Sequence, residues 1–358
     1  MERRCPVCDQ TLSRQEWIES PGGIVEEVEE CHRGHYYYEF SYGANRLTIG
    51  DDQWVWSTGT DTDDAWRMRK KEMDEVVKRH QKVGWLFETD VFDEGISRLV
   101  DEVKRQGMEA HIASYLNNQP GVSEASYLDL FPPHSCVVFY GSLNFAKQVR
   151  REATWLPAPY DEGPAHRCVT YYPPLGEHLL AQDYTMLPYG ELRRMKKKLY
   201  KRHGLSETLF IRPDSGNKIF TGQLVYAESF EKSLDRMGFY EVPSSELVVV
   251  SEPRVIKAEW RFVVADHRVI AGSQYRRNNE KEVSPIVDDR AWELAEKVAA
   301  EGFQPDRVWT MDICRSGADH YYLLEIGCFS CAGLYACEAE PIVREVSRIA
   351  LEEWKESQ

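Results

Sequence analysis

Leu209-Phe210-Ile211-Arg212-Pro213-Asp214-Ser215-Gly216-Asn217-Lys218-Ile219-Phe220-Thr221-Gly222-Gln223-Leu224-Val225 is the stretch on which the reading of this chain turns. Leu209, Phe210 and Ile211 read as a strand that ends in a cation, Arg212. Pro213 to Asn217 has turn composition, Lys218 adds a second cation, and Gly222–Tyr226 reads as the next strand. Such a hairpin can fold over a polyphosphate, with loop N–H groups and two positive charges offsetting the ligand's negative charge. The same composition also suits an ordinary surface turn, so its neighbours decide.

Downstream, Glu246-Leu247-Val248-Val249-Val250-Ser251-Glu252-Pro253 is an apolar strand running into a polar linker. Ile256–Ala265, with Glu259 and Arg261, and Val269–Tyr275, followed by Arg276, read as a strand pair. Thr310-Met311-Asp312-Ile313-Cys314 pairs by pattern with Tyr322-Leu323-Leu324-Glu325-Ile326-Gly327 across a Gly-containing turn. Short turns between consecutive strands predict an antiparallel sheet. Helices are predicted at 190–203, 287–301 and 340–356. Glu325 follows four apolar or aromatic residues, so its carboxylate is expected to face a cleft rather than solvent. The basic run from Arg193 to Arg202 reads as a solvated helix face.

This order of segments resembles the ATP-grasp superfamily, in particular a branch of ligases often encoded in phage genomes, from about Gly84 to the C-terminus. The resemblance implies an ATP-grasp fold: a preceding α/β domain and two α+β subdomains that clamp ATP. It implies that Arg212 contacts the α/β-phosphates and that Lys218 lies in the loop covering them. Val250, Ser251 and Glu252 match the linker that reads the adenine edge. Glu259 and Arg261 match an acidic-x-Arg pair, Arg261 and Arg276 being the catalytic cations, and Asp312 and Glu325 match the carboxylates that hold Mg2+. Related enzymes have Glu-x-Asn at the metal site, and here the third position is Gly327. The implied activity is ADP-forming ligation of a carboxylate to an amine-bearing small molecule or peptide through an acyl-phosphate. A nucleotide sensor that keeps the grasp without turnover is the alternative that Gly327 favours.

Upstream, Val83–Phe87, Asp93–Gln106 and Glu109–Leu116 alternate as strand, helix and strand, with Gly107 as a helix cap, the signature of a parallel sheet. Ser135–Tyr140 is a further buried strand, and a helix opens at Gly141-Ser142-Leu143. Residues 155–190 hold Pro157, Pro159, Pro164, Pro173, Pro174 and Pro188, which predicts a long ordered connection without regular structure.

The first 58 residues form a unit of their own, aromatic and strand-like from Tyr36 to Trp56. Cys5-x2-Cys8, then Cys31 and His35, offers three thiols and an imidazole, the donor set of a structural Zn2+ site. His32 competes with His35, and Gly34 supplies the turn that favours His35. The pattern resembles a zinc ribbon. Buried thiols and a surface histidine would share it. A helix is expected from Ala65 to Gln81. The expected organisation is therefore a zinc-ribbon-like module over 1–60, a connecting helix over 61–81, a preceding α/β domain over 82–190 and an ATP-grasp domain over 191–358.

Composition sets outer limits. With 358 residues, more than one core is expected. Twelve per cent aromatic residues excludes a disordered chain, and no apolar run is long enough to span a bilayer. The N-terminal residues lack a secretory pattern, which leads to the expectation of a cytoplasmic protein with reduced thiols. Cys328, Cys331 and Cys337 are read as small buried residues before reactive thiols. A net charge of -15 and the Glu26–Glu30 stretch argue against a nucleic-acid adaptor.

Overall fold

A computed structural model describes residues 4–5, 11–19, 25–31, 36–41, 44–49, 52–56, 71, 83–89, 91, 96–115, 126–216, 219–238 and 241–357. The N-terminal unit is an antiparallel meander of β1 (Ser13–Glu19), β2 (Val25–Glu30), β3 (Tyr36–Ser41), β4 (Ala44–Ile49) and β5 (Asp52–Trp56) in chain order. Its strand character follows the aromatic, β-branched composition. Cys5 and Cys31 are buried. Cys8, His32 and His35 lie outside the described residues, as does the expected helix over 65–81 apart from Lys71.

The next unit is a three-stranded parallel sheet with β6 (Val83–Glu88) between β7 (Glu109–Ala113) and β8 (Cys136–Tyr140). Every residue of β6 is buried, as a central strand covered on both faces requires. Helix α1 (Ile96–Arg105) ends at Gly107, whose φ of +78° lets its N–H and that of Met108 turn back onto Lys104 O and Val103 O. Helix α2 (Leu143–Glu152) starts at Ser142, whose hydroxyl accepts the Phe145 N–H at 3.2 Å.

Residues 155–190 depart from expectation. They contain helix α3 (Cys168–Leu175), short 3₁₀ turns and strand β9 (Tyr184–Pro188). Pro164 opens a 3₁₀ turn, Pro173 and Pro174 fall in the second turn of α3, and Pro188 ends β9. The prolines limit the length of these elements without preventing them.

Strand β9 completes a small antiparallel sheet of order β11-β10-β12-β9, with β10 (Thr208–Pro213), β11 (Gln223–Tyr226) and β12 (Leu247–Ser251). Helices α4 (Leu192–His203) and α5 (Phe230–Gly238) cover one face, where Leu199, Phe230 and Leu234 meet Leu209, Ile211, Val248 and Val250. The pleat therefore turns Phe210 and Arg212 to the other face.

The largest sheet is antiparallel, β15-β14-β13-β16-β17, built from β13 (Ile256–Ala265), β14 (Arg268–Arg277), β15 (Glu280–Ser284), β16 (Val308–Ser316) and β17 (His320–Cys328). Helix α6 (Asp289–Ala299) packs on the face carrying Trp260, Phe262, Val264, Trp309 and Met311. Helix α7 (Ala339–Glu356) packs on the opposite face against Val263, Ala265 and Val308, and also against Trp85, Phe87 and Val138 of the parallel sheet. Two layers thus share one core through α7. No helix among the described residues is long and apolar enough to cross a membrane.

The β13–β14 turn is pinned to this core by charge. Asp266, with a φ of 44°, accepts two bonds from Arg307 and one from Arg348, each at 2.8 Å. The Arg307 hydrogen bond is the main reason its carboxyl is lowered to about 2, with Arg348 adding to it. A depressed carboxyl contributes stability that is present above about pH 4 and is lost as pH falls through about 2. Asp266→Asn keeps the left-handed turn. It should cost about 1 kcal/mol at pH 7 after solvent screening, with the difference from wild type vanishing near pH 2 in urea titrations.

Candidate nucleotide and metal cleft

Strand alternation builds the site. On β13, Trp260, Phe262 and Val264 point to α6, so Glu259 and Arg261 point the other way, beyond the end of α7's coverage. On β16 the same parity leaves Thr310 and Asp312 on that face. Register then sets neighbours: Arg261 lies opposite Asp312, Asp312 opposite Glu325, and Glu259 opposite Arg276. These residues and Phe210, Arg212, Ser251 and Glu252 of the small-sheet side line one cleft of about 730 Å³.

Charge pairing inside the cleft is dense. Arg261 clasps Asp312, donating from Nε to Oδ1 and from Nη2 to Oδ2 at 2.9 Å, and its Nη1 donates to Gly333 O at 3.1 Å. Burial opposes the Arg261 charge and the Asp312 carboxylate more than offsets it, so the guanidinium is held well above its usual range. Arg276 Nη1 donates to Glu259 Oε1 at 3.2 Å. Arg212 reaches from β10 across to the large sheet, donating from Nη2 to Glu325 Oε2 at 3.0 Å. That ion pair joins the two sheets at the cleft.

Several site residues give no warning in the sequence. The β13–β14 pairing slips between Glu259 and Trp260, whose partners are Arg276 and Gln274. Tyr275 is the extra residue of this bulge and lines the cleft. Its hydroxyl lies 3.0 Å from Asp312 Oδ2 and also meets Glu259 Oε2. Burial holds the phenol well above its usual value, so it stays a donor. Tyr335 stacks on Tyr275, ring centroids 4.7 Å apart, and Arg261 sits over both rings. A second slip, between Asp312 and Ile313, releases Leu324 to the cleft while Leu323 stays in the core.

The connection before β9 adds Glu162 and His166 to the lining. His166 Nδ1 accepts the Gly163 N–H at 3.2 Å, which places the ring proton on Nε2. Burial lowers the imidazole to about 4, so it is neutral at pH 7. Its Nε2 is buried and has no hydrogen-bond partner among the described residues. Nothing in a proline-rich segment signals such a role from sequence.

Of the residues singled out from sequence, Arg212, Ser251, Glu252, Glu259, Arg261, Arg276, Asp312 and Glu325 converge on this cleft. Val250 does not reach its wall; its side chain is in the small-sheet core and its backbone pairs with Ile211 and Thr185. Lys218 lies outside the described residues. A Cβ on Gly327 would stand 3.0 Å from Thr310 Oγ1. That side of the carboxylate pair is therefore tightly filled. Cys314, Cys328 and Cys337 are buried, and none of the described cysteines is disulfide-bonded.

Residues 191–344 match a family model described as an ATP-grasp domain, the second family of its clade. Among curated proteins no sequence matches the chain. Among solved structures the chain is similar to D-cycloserine synthetase DcsG, at 15% identity and a TM-score of 0.53, over 75% of this chain and 99% of that one. A D-alanine–D-alanine ligase from Bacillus anthracis (12% identity, TM-score 0.48, 77% and 99% covered) and N5-carboxyaminoimidazole synthetase from Staphylococcus aureus complexed with ADP (11%, 0.49, 74% and 77%) lie further off. The chain thus carries an ATP-grasp domain, and the likeness to DcsG extends the shared fold to the preceding parallel sheet.

Proposed function

We propose that this protein is an ATP-dependent ligase that joins a carboxylate to an amine, releasing ADP and phosphate. The observation that carries this reading is the convergence of Arg212, Arg261 and Arg276 with Asp312 and Glu325 in one cleft bounded by both sheets of an ATP-grasp domain. Phosphoryl transfer needs little covalent help from a protein and much positioning and charge neutralisation. Arg212 takes the α/β-phosphates and holds the two sheets at a working distance. Lys218 covers the phosphates, and Ser251 and Glu252, with the adjoining backbone of Val250, line the adenine end.

Asp312 and Glu325 would hold Mg2+. Their oxygens are the hard donors that ion prefers, they stand on paired strands, and Glu325 is partly exposed to the cleft. When bound, the ion supplies positive charge on the phosphate oxygens. A substrate carboxylate oxygen then attacks the γ-phosphorus and the bond to ADP breaks. The amine nitrogen attacks the acyl carbon, the carbon–oxygen bond breaks, phosphate leaves and the amine proton passes to solvent. Arg261 and Arg276 stabilise the negative charge that builds on the transferred group, while Glu259 and Tyr275 hold them in place.

Thermal melting tests the site. Saturating Mg·ATP should raise the midpoint, since about 100 times Kd adds ~2.7 kcal/mol to stability, and Arg212→Ala or Glu325→Gln should abolish the rise. Absence of a shift in the wild type at millimolar Mg·ATP would remove the proposal. The substrates are best found by mass spectrometry, as a new amide in cell extract supplied with ATP. A nucleotide sensor is the second reading, favoured by Gly327. ADP release on addition of amino acids or peptides excludes it.

The N-terminal unit is proposed to hold a structural Zn2+ through Cys5, Cys8, Cys31 and His35. Burial of both Cys5 and Cys31 fits a closed thiolate site. About one zinc per chain should co-purify and be lost in Cys8→Ser; unchanged zinc in that variant would refute the assignment.

A further inference from the structure

The stretch from Glu162 to Val169 is tied to the turn after β10. Cys168 N–H donates to Asp214 O and Val169 N–H to Asp214 Oδ1, both at 2.7 Å, and Arg167 Nε bonds Asp214 Oδ2. Asp214 is buried, and these bonds are structural. Glu162 is different. Its carboxylate lines the cleft and accepts the Gly216 N–H at 2.7 Å.

Gly216 belongs to the turn whose N–H groups the nucleotide reading assigns to phosphate oxygens. A Cβ there would come within 2.7 Å of Glu162 Oε2 and 2.9 Å of Oε1, so the carboxyl is pressed against the backbone of the turn. A carboxylate and a phosphate make the same demands, an N–H donor and a nearby cation. The charged groups facing Glu162 are Arg212, which favours its charge, and Glu325 and Asp161, which oppose it. The position a phosphate oxygen would take is already filled by an anion of the chain itself.

Resting on the reading of the cleft as a Mg·ATP site, we propose that Glu162 is a built-in anionic occupant of the phosphate cradle. It holds the Gly216 N–H when no nucleotide is present, and the triphosphate must displace it. Nucleotide affinity is lowered by that displacement and by repulsion from the carboxylate. Burial, which raises Glu162 to about 7, shows that its charge is already held at a cost in the unliganded chain. The displacement also frees the turn to close over the phosphates only when they arrive.

Calorimetric titration of the full chain with Mg·AMP-PNP and with adenosine tests this. Glu162→Gln retains an acceptor for the Gly216 N–H and removes the charge. It should bind Mg·AMP-PNP about tenfold more tightly than wild type, as expected for a loss of about 1.4 kcal/mol of repulsion, and adenosine with unchanged affinity. Equal or weaker Mg·AMP-PNP binding by the variant overturns the proposal, as does an equal gain for adenosine. The Asp214 bonds are untouched by this change and keep the turn folded, and Glu162→Ala gives a second test in which the same sign is expected. If the wild type binds no Mg·AMP-PNP, the nucleotide reading itself fails and this proposal falls with it. If the wild type binds and neither variant gains, this proposal alone falls.

Discussion

Arg261→Met should reduce ADP formation by about 10²–10³-fold and lower unfolding stability by about 3–5 kcal/mol. The two losses have separate causes. Arg261 is the cation set among Asp312, Tyr275 and Tyr335, where the proposed mechanism puts the transferred phosphoryl group. Removing it takes away charge stabilisation that is fixed before the reaction begins. The stability loss comes from Asp312, whose side chain is only 3% exposed and would be left with Tyr275 as its described partner. An uncompensated buried carboxylate is far more costly than the pair it came from is stabilising. A second substitution separates the effects: Arg261→Met with Asp312→Leu should recover most of the stability and none of the turnover. Urea titration and ADP release measure the two quantities. Turnover within about threefold of wild type in folded Arg261→Met would exclude the catalytic role.

Trp354→Ala should cost about 3–5 kcal/mol, because it empties the place where three parts of the chain meet. Trp354 is 1% exposed near the end of α7, and its Nε1 donates to His134 O at 2.7 Å, ahead of β8. From the other direction, Trp85 of β6 donates through Nε1 to Ser347 Oγ of α7 at 3.0 Å. Helix α7 therefore holds the parallel sheet against the large sheet by packing and by two indole hydrogen bonds. Losing the ring removes apolar contact and leaves the His134 carbonyl without that donor. Chemical denaturation should show the loss. A change below about 1 kcal/mol would mean that the contact relaxes fully.

Much of the site is legible because strands have a period of two. Glu259 and Arg261 on one strand, with apolar Trp260 and Phe262 between and after them, announce a polar face on a buried strand before any coordinates are known. Glu325, placed after four apolar or aromatic residues, carries the same signal. The prolines of residues 155–190 mislead for a local reason: proline removes a donor and restricts φ, yet two-turn helices and edge strands tolerate it. Strand β15 and helix α5 give too short a signal to be anticipated.

Tyr275 shows a different limit. It follows an apolar strand and precedes a cation, and nothing in that order places its ring over Arg261. A one-residue slip against β13 does so, and slips are decided by how two strands fit rather than by either strand alone. Glu162 and His166 come from a turn-rich connection with no period at all.

The amino-acid order by itself determined most of the elements, the parity of each strand and hence which side chains share a face, because those depend on residues within a few positions of one another. Only the tertiary structure decided that Arg212 meets Glu325, that Tyr275 joins Asp312 and that Glu162 occupies the Gly216 N–H. Each of these links residues from separate segments of the chain, and their meeting is set by the packing of whole sheets around α7 and by bulge register, which no local pattern encodes.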